Sequence, residues 1–332
     1  MPGTTGMGRD GDRRRPAYAF EEQGRPTARR LLMALDPQLG VLERLEHLTP
    51  RLDGLPVVVR ASLPDPDGGP SRQVYGRGAN GDDALVCAVS AGFERHCADV
   101  FLRQGEMAGV ALTTGARVRV DPFLLLDRCG LGCSREMPGA IEHAALEASE
   151  RKAMASALSS GTFGPKLDEA TAPADLARIL DWHRGRACTV TSVVIDREPP
   201  VVAVICVPAV DDSAAVIGVA AARTGVSAWR DAAMEMHMVF LARARRDRNG
   251  ELRHGGVPTD AGEVMAIDGA WACTREELQE TLSLSRRSID SSTIAPWSRT
   301  IAGIAVDITT AAAASMDRKV AAVALGESPD LW

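Results

Sequence analysis

Two short signatures hold the residue types in this chain that could do chemistry together, Glu94-Arg95 and Glu147-x-x-Glu150-Arg151. Carboxylates at i and i+3 share one helical face, where they can hold a cation. Taken together the two signatures look like an ATP site. The same Glu-x-x-Glu-Arg spacing also describes a solvated helix face laced by i,i+4 ion pairs. Two elements must position the groups. Val74-Tyr-Gly-Arg-Gly-Ala-Asn-Gly81 followed by Asp82 to Arg95 reads as strand end, turn and helix, and Ala140 to Ala153 reads as a second helix.

Gly76-Arg-Gly-Ala-Asn-Gly81 matches G-x-G-x-x-G and opens a helix, as a dinucleotide-binding fingerprint requires. The run before it, Pro70 to Tyr75, is polar, and no acidic residue ends a second parallel strand at the right distance. A glycine turn opening a helix is the stronger reading, with an NAD(P)-dependent oxidoreductase kept as a third functional class. There is no G-x-x-x-x-G-K-[ST] and no G-x-S-x-G, which removes the P-loop and nucleophile-elbow templates.

With 332 residues, 45% of them hydrophobic and 25% charged, the chain can bury a substantial core. Aromatic residues are only 4%, so that core must be built from Ala, Val, Leu and Ile. A formal net charge of -6 argues against a nucleic-acid partner. The lack of a long uninterrupted apolar run argues against a membrane span. Seven cysteines without a CxxC pair fit a reducing cytoplasm. Cys129-Gly-Leu-Gly-Cys133 lacks the second pair a zinc site needs, and the histidines form neither HxxxH nor HExxH, so cysteines and histidines alike read as core or surface residues.

Residues 1–30, rich in Gly and Arg, read as a flexible arm. Leu42, Leu45 and Leu48 have helical spacing, and Leu55 to Leu63 reads as a strand followed by a loop over Pro64 to Pro70. Val110 to Gly115 reads as a connection, Val118 to Leu126 as a strand, and Cys129 to Ser134 as a turn into the second signature helix. Thr189 to Ile195 and Val201 to Val207 should pair across Asp196 to Pro200. A long helix is expected from Ala228 to Arg245, a charged loop from Arg246 to Pro258 and a helix from Trp271 to Arg287. Strands at Thr300 to Ile308 and Lys319 to Leu325 close the chain.

The order of these segments resembles the YcaO family over roughly residues 33 to 332. The resemblance rests on Asp36 to Leu45, Gly76 to His96, the Ala140 to Ala153 helix with its E-x-x-E-R, Val306-Asp-Ile-Thr309 and the closing Gly326 to Trp332. It implies an α/β fold of mixed sheets flanked by helices, in a single large domain over residues 31–332. It also implies ATP- and Mg²⁺-dependent activation of a peptide backbone amide, giving azolines, thioamides or amidines. Glu94, Glu147 and Glu150 would hold metal. Arg77, Arg95, Arg135, Arg151 and Glu235 would line the nucleotide site. The implied partners are a precursor peptide and a separate leader-peptide-binding or second YcaO-like protein, with a dimer left open.

The sequence departs from the family pattern at Cys87, Ala91, Arg135, Gly139, Met238, Ala321 and Leu325, where polar or metal-facing groups, or the closing strand's Arg and Pro, are expected. Two readings follow. One is an ATP-dependent cyclodehydratase-like enzyme of peptide natural product biosynthesis, installing a post-translational modification. The other is a catalytically degenerate scaffold or regulatory subunit of an active paralogue.

Overall fold

A computed structural model describes residues 31–48, 54–122, 129–209, 215–249, 263–266, 269–274, 278, 282, 287–298 and 302–326. The first sheet has three antiparallel strands, β1 (Arg44–His47), β2 (Val57–Leu63) and β3 (Arg72–Gly78). A five-stranded antiparallel sheet runs in the order β5 (Arg117–Val120), β4 (Met107–Ala111), β14 (Gly303–Asp307), β15 (Lys319–Leu325), β6 (Cys129–Ser134). The third is mixed, in the order β12 (Gly269–Thr274), β11 (Glu263–Ala266), β10 (Ala215–Ala221), β9 (Pro200–Pro208), β8 (Cys188–Arg197), β7 (Lys166–Leu167), β13 (Ser288–Ile289), with parallel pairs at β10/β11 and β7/β13. The α-helices that accompany them include α1 (Gly81–Leu102), α2 (Met137–Ser160), α3 (Ala174–Arg184), α4 (Gly225–Asn249) and the short α5 (Ala311–Ser315).

Three long helices carry the site, and each docks on a strand through glycine. A Cβ on Gly76 or Gly78 of β3 would collide with the α1 backbone at Ala88 or Ala84. On β6, Gly130 and Gly132 stand in the same relation to Ala144 and Ala140 of α2, and Gly218 of β10 faces Ala232 and Met236 of α4. Strand glycines opposite helix alanines therefore let backbone touch backbone. This is how a chain poor in aromatics reaches close packing. Asn80 caps α1 by accepting the Asp83 N–H at 2.9 Å. Gly161, at φ 62°, ends α2 in the left-handed region.

The core divides accordingly. Phe93, Phe101 and Leu85 of α1 pack with β2 and with Val306, Val320 and Ala322 of the five-stranded sheet. Trp229 and Met236 of α4 join Leu176 and Leu180 of α3 on one face of the mixed sheet. Ala153 and Met154 of α2 join Val201, Ile205 and Ile217 on the other. Among the described residues no helix is long and apolar enough to cross a membrane.

Several expectations from the sequence are corrected. Of the leucines of Leu42 to Leu48, expected as a helix, Leu45 lies in β1, buried and paired across to Ala61, and Leu42 and Leu48 flank the strand. The expected turn Cys129 to Ser134 is strand β6, whose alternate residues face α1 and α2. Val110 and Ala111 end strand β4 rather than forming a connection, and the strand after them is β5, Arg117–Val120, while residues 123 to 126 of that expected strand lie outside the described residues. Trp271 to Thr274, expected as helix, is in β12, whereas Leu278 and Leu282 are helical as expected, and most of the rest of the segment up to Arg287 lies outside the described residues. Helix α4 runs on through Arg246 to Asn249, and the rest of that expected loop is outside the described residues, as are the arm of residues 1–30 and the end of the chain from residue 327. The dinucleotide fingerprint fails because Gly76 and Gly78 sit inside an antiparallel strand, paired to Val59 and Val57, instead of in a parallel βαβ turn.

Candidate functional site

Strand β6 lies at the edge of its sheet, so alternate residues turn backbone groups away from β15. Those groups are taken by side chains of the two signature helices. The Leu131 N–H donates to Glu147 Oε2 at 2.7 Å, and the Cys133 N–H donates to Glu94. The Cys129 carbonyl accepts from Arg151 Nη1 at 3.1 Å, while Arg151 Nη2 bonds Glu147 Oε1 at 2.5 Å. The sheet edge thus fixes Glu94 from α1 and Glu147 from α2 side by side.

Burial, reinforced by the crowding of carboxylates, governs the electrostatics. Burial, then the charge of Glu147, holds the Glu94 carboxyl well above the usual range, against the Cys133 N–H and the Arg95 and Arg151 cations. Glu94 Oε1 is buried and has no hydrogen-bond partner among the described residues, and the His143 Nδ1 lies 3.8 Å away. Glu150 is likewise pushed well up, by burial and then by Glu235 and Glu147, with Arg77 and Arg151 opposing.

On the far side of Glu150 the set continues onto α4 and β3. Arg77 Nη2 lies 3.4 Å from Glu235 Oε2. Burial works to lower the Arg77 pKa, but Glu235, the Cys87 thiol, Asp231 and Glu150 outweigh it and hold the guanidinium above its ordinary value. Asp231 is raised by burial against Arg77 and Arg230. The result is a band running Glu94, Glu147, Glu150, Glu235, with arginines on its flanks.

Beside this band a cleft of about 530 Å³ opens between the N-terminal turns of α1 and α2, lined by Asp82, Asp83, Ser90, Arg135, Gly139 and Arg318. Ser90 is one turn before Glu94, and Cys133, which also lines the cleft, is the residue whose N–H holds Glu94. Arg318 is 6% exposed, so a guanidinium is buried in the cleft wall.

Each expected site residue can therefore be placed. Glu94, Glu147, Glu150, Glu235, Arg77 and Arg151 converge, Arg95 is exposed on α1 with its charge acting on Glu94, and Arg135 is exposed at the cleft. Sequence reasoning missed Asp231, which its i,i+4 spacing to Glu235 on one helix would have revealed. It also missed Arg318, for which no spacing signal exists. The departures separate into two kinds. Cys87 acts electrostatically on Arg77 and Gly139 lines the cleft, whereas Met238 packs with Val58 and Tyr75, and Ala321 is fully buried in β15. Cys129 and Cys133 lie four residues apart along a strand, about 13 Å, too far to share a metal. Burial pushes both thiols up to about 12.

Three sheets with carboxylate-bearing helices between them define an α/β protein with a YcaO-like fold. The structure of YcaO from Methanopyrus kandleri bound with AMPPCP and Mg²⁺ is similar to this chain at TM-score 0.66 and 17% identity, covering 91% of each chain. A heterocyclase in complex with substrate and cofactor matches at TM-score 0.69 and 13% identity over 90% of this chain, which spans 51% of the heterocyclase. The E. coli microcin synthetase McbBCD complex with pro-MccB17 bound matches at TM-score 0.60 and 12% identity, covering 86% of this chain and 87% of that one. No family model and no curated protein matches the sequence.

Proposed function

We propose that this chain is a YcaO-type protein that uses ATP and Mg²⁺ to modify a backbone amide of a ribosomally made peptide, by azoline cyclodehydration or by thioamide or amidine formation. It would work in the cytoplasm with a separate leader-peptide-binding or second YcaO-like protein, and residues 31–332 would form the YcaO-like domain. The observation that carries this reading is the unsatisfied Oε1 of Glu94 in a row of buried carboxylates. Such a row is stable only with protons or a cation between its members, and hard oxygen donors suit Mg²⁺. The donor set therefore fits the implied metal.

When bound, ATP and Mg²⁺ supply the phosphoryl group that turns an amide oxygen into a leaving group and the charge that balances it. Glu94, Glu147 and Glu150 would hold the metal. Arg151, fixed on the Cys129 carbonyl, orients Glu147, and Arg77 holds Glu235. Arg135 and Arg318 would receive anionic groups in the adjoining cleft.

The alternative, a degenerate scaffold or regulatory subunit of an active paralogue, is favoured by the apolar Ala91 and Met238 where polar groups are expected. Calorimetric titration with a non-hydrolysable ATP analogue and Mg²⁺ separates the two. Magnesium-dependent binding abolished by Glu147→Ala and Glu150→Ala supports the enzyme, and its absence in the parent chain supports the scaffold. Turnover is tested with precursor peptide and partner present, by loss of water or exchange of oxygen in the peptide.

A further inference from the structure

On the side of α4 remote from the sheet edge, α3, β8 and β9 bring three soft ligands together. The Nδ1 or Nε2 of His183 and the Sγ atoms of Cys188 and Cys206 all lie within 4.8 Å of one another, and all three residues are buried. Cys206 Sγ is 3.7 Å from His183 Nδ1, and Cys188 Sγ is 3.7 Å from the Arg186 carbonyl oxygen. The other His183 nitrogen, Nε2, is 3.1 Å from His237 Nδ1 on α4. Trp182 stands edge-on to both imidazoles, and the Arg186 guanidinium lies 3.5 Å over the Trp182 ring, closing the site from solvent.

We propose that His183, Cys188 and Cys206 bind a thiophilic divalent d¹⁰ cation, Zn²⁺, as a structural site that clamps α3 to β8 and β9. This goes beyond the ATP-dependent reading and does not rest on it. The geometry resembles an incomplete first coordination sphere: His183 Nδ1 and Cys206 Sγ, 3.7 Å apart, already stand at the separation that neighbouring ligands of a tetrahedral zinc keep, roughly 3.5 to 4 Å from metal–ligand bonds of about 2.0 to 2.3 Å, and Cys188 Sγ completes a set within 4.8 Å that a small inward shift would close on the ion. The carbonyl of Arg186 is at hand for the fourth position. His237 supplies what a ligating imidazole ordinarily has, a hydrogen bond on the nitrogen away from the metal, which leaves the His183 Nδ1 lone pair directed at the thiols.

Charge selects the ion. Binding displaces one proton from each thiol, so two thiolates and a dication leave the site neutral, as its burial demands, whereas Cu(I) would leave a net negative charge. Burial already keeps His183 neutral, its pKa lowered to about 3 by desolvation and then by His237 and Arg186, so the imidazole is available as a ligand throughout the neutral range. Burial, the Cys188 charge and the contact with Cys188 push the Cys206 thiol up, so metal uptake must release protons. Exposed Arg186 supplies the nearby positive charge, and it opposes a bare dication until both thiols have ionised.

The full chain is produced in zinc-supplemented medium, its metal content is measured, and Zn²⁺ is then exchanged for Co²⁺. We expect one equivalent per chain and a thiolate-to-cobalt charge-transfer absorption that is lost in Cys188→Ser and Cys206→Ser and kept in Cys129→Ser. No tightly held metal, or an absorption that survives both substitutions, overturns the proposal. If either variant fails to fold, alkylation of the parent chain below its urea transition decides. With metal, Cys188 and Cys206 should react at least tenfold more slowly than without it, and equal rates overturn the proposal.

Discussion

Helices α1 and α2 are built alike, each docked on a G-x-G strand and each carrying a glutamate to the edge of β6, yet their carboxylates are held differently. Glu147 on α2 has both oxygens occupied, by the Leu131 N–H and by Arg151. Glu94 on α1 has the Cys133 N–H for one contact and a bare Oε1, and its helix carries Cys87 and Ala91 where a polar stripe is expected. One half of the site is thus completed by the protein itself and the other waits for a proton or a cation. The difference teaches that one scaffold, a helix docked on a G-x-G strand, can leave one of two neighbouring buried carboxylates satisfied by the protein and the other not.

The largest effect should come from breaking the shared scaffold. Gly132→Val drives a side chain into the Ala140 carbonyl, and Gly78→Val does the same to the α1 backbone. Each should cost about 3 kcal/mol or more by overpacking against backbone that cannot retreat, measured as a lower urea midpoint or as failure to fold.

Glu147→Ala should come next. It strips the acceptor from Leu131 and leaves Arg151 without its carboxylate, costing about 2 kcal/mol, and it should abolish magnesium-dependent nucleotide binding in calorimetry. Glu94→Gln should have the opposite sign for stability. A carboxyl whose folded pKa exceeds its unfolded value contributes stability that is present below the unfolded value, about 4.3 for glutamate, and lost as pH rises through the folded one. The parent chain should therefore lose stability as pH climbs above about 4.3 without Mg²⁺, and the amide should flatten that loss and add about 1 kcal/mol at neutral pH. A urea-midpoint profile against pH, with and without Mg²⁺, reads both effects.

Ala91→Glu returns a carboxylate to the α1 face one turn from Glu94, and should tighten Mg²⁺ about tenfold in calorimetry if that stripe faces the metal. The smallest effect belongs to exposed Arg95, where Arg95→Ala should shift stability by no more than about 0.5 kcal/mol. A larger change would show that α1 depends on this arginine as α2 depends on Arg151.

Helices α1, α2 and α4 and the β8/β9 hairpin were legible because their apolar spacing and flanking turns agree. Strand β6 was not, because half its residues are glycine or serine, types that propensity assigns to turns, and the reason for glycine there is a helix approached from elsewhere in the chain. Leu42, Leu45 and Leu48 satisfied a helical period by coincidence over a segment that contributes four residues to a strand. That Glu94, Glu147 and Glu150 could come together was legible from type and spacing. What holds them was not, since backbone N–H groups at a sheet edge carry no sequence signal, and neither does the burial of Arg318.

The side chains along β6 have one more consequence. An open strand edge invites another chain to pair with it, and here the invitation is withdrawn by Glu94, Glu147 and Arg151, which occupy the groups a foreign strand would need. The same residues thus serve as gatekeepers against self-association. Variants that empty the edge should scatter light on concentration before they unfold, so solubility in this protein is tied to the integrity of its site.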